Sequence, residues 1–320
     1  MHKSAGRVSA IVVSYFTGPL LARAIASLKN QDDVCEIIVV DNGNWEGAVA
    51  AAIEVNPGGP PASIISGHGN VGFATACNLG AKRAKGEYLL FLNPDAVMPT
   101  GGVARLIADG ARLKRPWLIG PKIINPDGSE QQGSRRMTLT PWRAFVEATR
   151  LYALAPRHPY FRRFNIHGDP CPDKVTALPV ISGACFFLHR EDYFSIGGMD
   201  ERYFLHVEDV DFCLRFGEAG GVYFDPHVSI PHHKSSSRVS AIRVERRKTA
   251  SVIRYFNTHF SDPYPAPFLW LTAGVLWATF AAKLAGRAAT RAGALLRLRA
   301  ELGGVGARRA RQLSVRRRGR

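Results

Sequence analysis

Four short apolar runs, rich in β-branched residues and parted by helical or turn-forming segments, constrain this chain most. They are Val8 to Val13, Glu36 to Val40, Ser63 to Ile65 and Tyr88 to Leu92. Between the first two, Leu21, Ile25 and Leu28 recur at helical spacing, and Gly72 to Lys85 is Ala-rich. Strands that are apolar throughout, without polar alternation, bury both faces. Separated by helices, they predict an α/β fold with a mostly parallel central sheet covered on both sides.

In such sheets ligands bind beyond the carboxyl ends of the strands. Ser14, Asp41 and Asn93-Pro94-Asp95 each stand just past a strand, so they are the first candidates. Asp41-Asn42-Gly43 is also an ordinary turn signal. A carboxylate at that edge can nonetheless hold a divalent cation against a diphosphate, because Mg²⁺ and Mn²⁺ prefer oxygen ligands. Asn70-Val71-Gly72-Phe73 opens a helix after Gly67 and Gly69, an entry that lets backbone amides approach a nucleotide. It matches neither G-x-G-x-x-G nor the P-loop, which counts against a dinucleotide dehydrogenase and a P-loop ATPase.

Further along, Leu118 to Ile124 and Ala184 to Leu188 read as strands, and residues 138–175 as an irregular insertion or substrate loop. Val207 to Glu218 carries Val210, Cys213, Leu214 and Gly217 at helical spacing. Its start holds Glu208, Asp209 and Asp211. Acids there cap a helix and favour its dipole. One of the adjacent pair can equally face a cleft as a general base while the other caps or binds acceptor hydroxyls. His232 and His233 follow a strand-like run, Val228 to Ile230, and imidazole beside acids can join a metal shell.

Charge is distributed unevenly. The net charge is +16, yet the segment from Lys283 to Arg320 holds twelve basic residues and one acid, Glu301, and so carries +11 of it. Before it, Phe268 to Ala282 is an uncharged apolar run of fifteen residues with Trp270 and Trp277, short of the roughly 20 needed to span a bilayer. An apolar helix followed by arginines predicts a membrane-associating extension facing anionic headgroups; the alternative is a helical pair packed on the catalytic domain with a solvated basic end. Five scattered cysteines without a C-x-x-C pair form no disulfide framework, and Val8 to Val13 is too short for a secretory signal core. A cytoplasmic catalytic body, peripheral on the inner face of the cell membrane, is expected.

In order and spacing, the segments Val8 to Tyr15, Ile37 to Asn44, Asn70 to Asn78, Gly86 to Asp95, Ser182 to Ala184, Gly197 to Glu201, Glu208 to Asp211 and Pro231-His232 resemble the family-2 glycosyltransferases with a GT-A fold. The likeness is nearest to the rhamnosyltransferase-like branch and covers residues 8–237. It implies a catalytic domain over 1–237 and a helical, membrane-associating tail over 238–320. It further implies nucleotide-sugar binding by Ser14, Asp41, Asn70, Gly72, Asn93 and Asp95, and acceptor binding by Glu208 and Asp211. Asp209 would be the catalytic base, and Asp95 and His232 would hold Mg²⁺ or Mn²⁺. Asn93 stands where many members have the first acid of Asp-x-Asp, so Asp95 alone would supply that carboxylate. The implied activity is inverting transfer of a sugar, such as L-rhamnose from dTDP-rhamnose, to a glycan or polyprenyl-diphosphate-linked saccharide in cell-surface polysaccharide synthesis. UDP- and GDP-sugars remain alternative donors. The competing classes are a basic nucleic-acid-binding protein, which the charge favours but no nucleic-acid module supports, and a non-catalytic scaffold of a glycan-assembly complex.

Overall fold

The computed structural model describes residues 7–155, 158–233, 240–287 and 290. The arginine-rich stretch from residue 291 onward lies outside them. The first half is built from β1 (Val8–Ser14), α1 (Leu20–Lys29), β2 (Val34–Asp41), α2 (Ala48–Glu54), β3 (Ala62–Ile65), α3 (Phe73–Arg83), β4 (Tyr88–Leu92), α4 (Gly102–Gly110) and β5 (Trp117–Ile124). The second half adds β6 (Arg135–Arg136), α5 (Pro141–Thr149), β7 (Thr176–Ala177), β8 (Val180–Ile181), β9 (Cys185–His189), α6 (Arg190–Ser195), α7 (Glu208–Ala219), β10 (Gly221–Pro231) and α8 (Ala241–His259). A last helix, α9, runs Ala266–Arg287.

Eight strands form one sheet in the order β3-β2-β1-β4-β9-β5-β10-β7, and β6 pairs with β8 in a small separate ribbon. The pairs β3-β2, β2-β1, β1-β4 and β5-β10 are parallel. β9 is inserted antiparallel between β4 and β5. The apolar runs explain the parallel half: β1 and β4 are buried along their whole lengths, as strands covered by helices on both faces must be. Because β1 pairs in register with β2, Ser14 sits opposite Asp41 at the carboxyl edge. β4 ends on the same edge, at Asn93.

The core continues through the expected domain limit at residue 237. Val252, Tyr255, Phe256 and Phe260 of α8 and its exit pack in one cluster with Phe212 and Phe216 of α7. Each such side chain contributes about 1.5–3 kcal/mol when fully buried, so α8 shares one packed core with α7. The described residues of 138–175 also hold regular structure where an irregular loop was expected. Thr140 caps α5 by accepting a bond from the Arg143 amide, with Pro141 at the first helical position. α9 begins before the apolar run and continues past Lys283, whose ammonium reaches Glu245 of α8 at 3.0 Å; at 22 residues it is, by length and composition, long and apolar enough to cross a membrane, where the fifteen-residue run alone falls short.

Candidate active site

Three strand ends build one side of the candidate site. Asp41 Oδ1 accepts bonds from the Gly43 and Asn44 amides and from Asn44 Nδ2 at 2.7–3.0 Å. The turn reading of this segment is therefore realised, and it fixes the carboxylate at the edge. Ser14 is fully buried, and its hydroxyl is taken up by Thr17 Oγ1 at 3.1 Å and Asn44 Oδ1 at 3.2 Å, so its side chain braces the turn. Asn70 Oδ1 accepts from the Gly72 amide at 3.1 Å, and Asn42 Nδ2 donates to the Gly72 carbonyl at 3.0 Å. Gly72 has φ +89, and a Cβ there would lie 2.7 Å from the Phe204 carbonyl oxygen. Only glycine fits that approach.

At the end of β4, Asp95 Oδ1 lies 3.1 Å from His232 Nε2, with both residues buried. Asn93 Nδ2 is 3.2 Å from the same nitrogen. The imidazole is set from behind. Gln131 Nε2 donates to the His232 carbonyl and to Asn125 Oδ1, each at 3.0 Å, which leaves Gln131 Oε1 to accept from His232 Nδ1 at 2.7 Å. A proton on Nδ1 leaves the Nε2 lone pair facing Asp95 in the neutral ring. Two donors on one ion, each about 2.1 Å away and at a right angle, stand about 3.0 Å apart. The Asp95–His232 pair is therefore spaced as two ligands of one divalent cation would be.

The Asn93 amide donates to the Ala184 carbonyl at 2.9 Å, which ties this corner to the loop entering β9. There Gly183 N lies 3.2 Å from Asp209 Oδ2. A Cβ on Gly183 would stand 2.8 Å from the Asp209 Cβ, so a glycine lets the loop touch α7. Arg136 Nη2 donates to the same Asp209 oxygen at 2.5 Å and to the Ile181 carbonyl at 2.5 Å. Burial alone would raise the Asp209 carboxyl. The Arg136 guanidinium outweighs it and holds the group below the usual carboxylate range. Oδ1, whose one bond is to the Val210 amide, keeps a lone pair for a further donor. His206 and Val207, at φ +69 and +77, form the left-handed turn that aims the start of α7.

The neighbouring acids are both buried. Glu208 is buried, its Oε2 has no partner among the described residues, and burial followed by the Asp209 charge pushes its carboxyl up to about 8. Asp211 is fully buried between Arg215 at 2.8 Å and His259 at 2.7 Å, where it locks α7 to α8. A further group, Asp109, Asp225 and His227, could gather ligand atoms within 4.8 Å, but Asp109 is already paired with Arg105 and Arg112.

The profile described as glycosyl transferase family 2 matches residues 9–170, half of the chain. The chain belongs to glycosyl transferase family 2. This glycosyltransferase is 28% identical over 284 residues to an N-acetylglucosaminyl-diphospho-decaprenol L-rhamnosyltransferase of Mycobacterium tuberculosis, across 83% of this chain and 89% of that relative. It is 29% identical over 199 residues to the O-antigen biosynthesis protein RfbC of Myxococcus xanthus, covering 61% of this chain and 15% of that protein. Among solved structures it resembles GalNAc-T7 with UDP, GalNAc and Mn²⁺, at a TM-score of 0.57 and 17% identity over 81% of this chain; it spans about half that protein, 49%. It also resembles the mannosyltransferase PcManGT of Pyrobaculum calidifontis in complex with GDP-Man and Mn²⁺, at a TM-score of 0.51 and 19% identity over 93% of this chain and 81% of that one. These likenesses establish the GT-A fold.

Two residues that shape the site escaped the sequence reading. Arg136 acts on Asp209 from 73 positions away, and Gln131 orients His232 from 101 away. The only local trace of the former is the Arg135-Arg136 doublet, a pair of cations that both prove buried.

Proposed function

We propose that this glycosyltransferase transfers L-rhamnose from dTDP-rhamnose, with inversion, to a polyprenyl-diphosphate-linked N-acetylglucosamine in cell-envelope polysaccharide synthesis. The substrate class comes from the mycobacterial relative, whose match spans most of both chains. The observation that carries the chemistry is one continuous bonded edge. It runs from the Asp95–His232 pair through Asn93 and Ala184 to Gly183 and Asp209.

Along that edge, Asp41, Asn70 and Gly72 receive the nucleoside, and Asp95 and His232 hold Mg²⁺ or Mn²⁺ beside Asn93. The bound cation supplies positive charge against the leaving diphosphate. Asp209 takes the proton of the acceptor hydroxyl. The oxygen forms its bond to the anomeric carbon as the bond to the diphosphate breaks on the opposite face, so one displacement inverts the centre. Arg136 keeps Asp209 ionised and fixes its direction, which a base needs before it can accept a proton. The apolar, exposed α9 rests on the inner face of the membrane, where a lipid-linked acceptor resides.

The test is transfer from dTDP-rhamnose to a synthetic N-acetylglucosaminyl-diphospho-prenol with added Mn²⁺ or Mg²⁺, read by mass spectrometry and by the anomeric configuration in NMR. A rhamnosyl product of inverted configuration is expected. A retained configuration would refute the single displacement, and transfer from UDP- or GDP-sugars alone would refute the donor.

A further inference from the structure

Three arginines near the start of α8 have no part in the chemistry described so far. Arg243, Arg246 and Arg247, with Ser240 and Ile242, line an open depression of about 510 Å³. Among the described residues none of the three forms an ion pair; the acid on that turn, Glu245, is committed to Lys283. Among the described residues, the depression therefore presents positive charge that no carboxylate pairs.

Its neighbours define what it can serve. The Arg247 guanidinium lies 3.8 Å from the Phe204 ring centroid, and Phe204 opens the loop that delivers Asp209. Lys248 and Glu245 both act electrostatically on His206 in that loop. On the other side, the Lys283–Glu245 contact brings the distal end of α9 against the first turns of α8. Trp270, at 73% exposure, and Trp277, at 40%, leave apolar surface open on α9; the arginines stand on the helix that α9 touches through Lys283, and Arg247 reaches the loop of the candidate base. Apolar surface, cations and a carboxylate thus belong to three neighbouring elements. A lipid-linked saccharide carries the corresponding parts: hydrocarbon, diphosphate, sugar hydroxyl.

We propose that Arg243, Arg246 and Arg247 form the receiving site for the diphosphate of a lipid-linked acceptor, whose chain lies along the exposed face of α9. This rests on the acceptor class proposed above and adds its recognition device. Guanidinium forks match phosphate oxygens bidentately. Anchoring the diphosphate there sets how far the sugar reaches toward Asp209, so acceptors are selected by their phosphates as well as by their sugar.

The test uses the full chain with two acceptors: N-acetylglucosaminyl-diphospho-prenol, and N-acetylglucosamine on a neutral alkyl aglycone. Arg247 also packs on Phe204, so the variants are Arg243→Ala, Arg246→Ala and their double. Loss of a charge-assisted bond weakens binding roughly 10-fold or more. The ratio of kcat/KM for the diphosphate acceptor over the neutral one is expected to fall at least that much in the double variant. Farnesyl diphosphate should inhibit the wild type more strongly than farnesol, and lose that advantage in the variant. Equal loss on both acceptors, or a raised KM for the sugar nucleotide alone, would overturn the proposal and assign the arginines to the fold or to the donor. An unchanged ratio accompanied by weaker binding to phosphatidylglycerol vesicles would overturn it in favour of phospholipid headgroups. A wild type that transfers to neither acceptor would refute the acceptor class itself, an outcome distinct from failure of the arginine site alone.

Discussion

The carboxyl edge of the sheet and the α8–α9 hairpin are built on opposite terms. At the edge nearly every polar atom is held by another: Asp41 by three donors, His232 by Gln131, Asp209 by Arg136 and Gly183. On the outer side of the hairpin, cations and tryptophans stand exposed with few partners. A reaction centre needs groups fixed in place before substrate arrives. A surface that meets a fluid bilayer or a long chain gains from remaining accessible. The edge should therefore govern the rate of the chemical step, and the hairpin access to it.

Substitution can break that division, and the largest effect is expected at Asp209. Asp209→Asn should lower kcat by about 10²–10⁴-fold while calorimetry shows sugar-nucleotide binding close to wild type. Weakened donor binding would move Asp209 to the other side of the site. Arg136→Lys should cost about 10-fold in kcat, because the fork to Asp209 and the Ile181 carbonyl is lost while charge remains. With the guanidinium's hydrogen bond to the carboxylate lost, burial lifts the Asp209 carboxyl, and a base must be ionised to act. The acid limb of the kcat/KM profile should then shift to higher pH; an unmoved limb would separate Arg136 from the titration.

A smaller effect belongs to stability. Glu208 has a folded pKa raised from 4.5 to about 8, by burial first and the Asp209 charge second. Between those values the unfolded chain releases this proton and the folded one keeps it, so stability falls as pH rises through that window. Glu208→Gln should flatten the slope there and raise Tm at pH 7 by about 2–4 °C for each kcal/mol recovered. An unaltered slope would show that Glu208 does not titrate with folding. The smallest folding effect is expected from Trp270→Ala with Trp277→Ala: about 0.5 kcal/mol or less each in stability, since both are exposed. The pair should nevertheless reduce co-sedimentation with vesicles. A large loss of Tm with unchanged sedimentation would make α9 a packing element instead.

What could be read from sequence follows the same division. β1, β2 and β4 were legible because burial on both faces leaves a continuous apolar record in the chain. The charge of the hairpin was legible as composition. Burial of Ser14, Glu208 and Asp211 was not, since a polar residue at a strand end or helix start reads alike whether it faces a cleft or a core. Nor was Arg136, whose partner is 73 residues distant. α5 was missed because its aromatic and cationic residues obscure the apolar spacing, even though Thr140-Pro141 marks its start. The full length of α9 was hidden by Lys283, which would end an apolar run but is satisfied by Glu245.

The reversal of β9 has a consequence for how such an enzyme can diversify. Because β9 runs against both neighbours, the chain enters it at the edge where β4 leaves, after a long segment over 138–175 whose described residues add no strand to the sheet. Insertions and deletions there need not disturb the strand register that positions the donor half. The reversed strand acts as a seam: one side can keep the nucleotide chemistry constant while the other is recut to fit new glycans, making 138–175 the natural segment to exchange between relatives when building enzymes with altered acceptors.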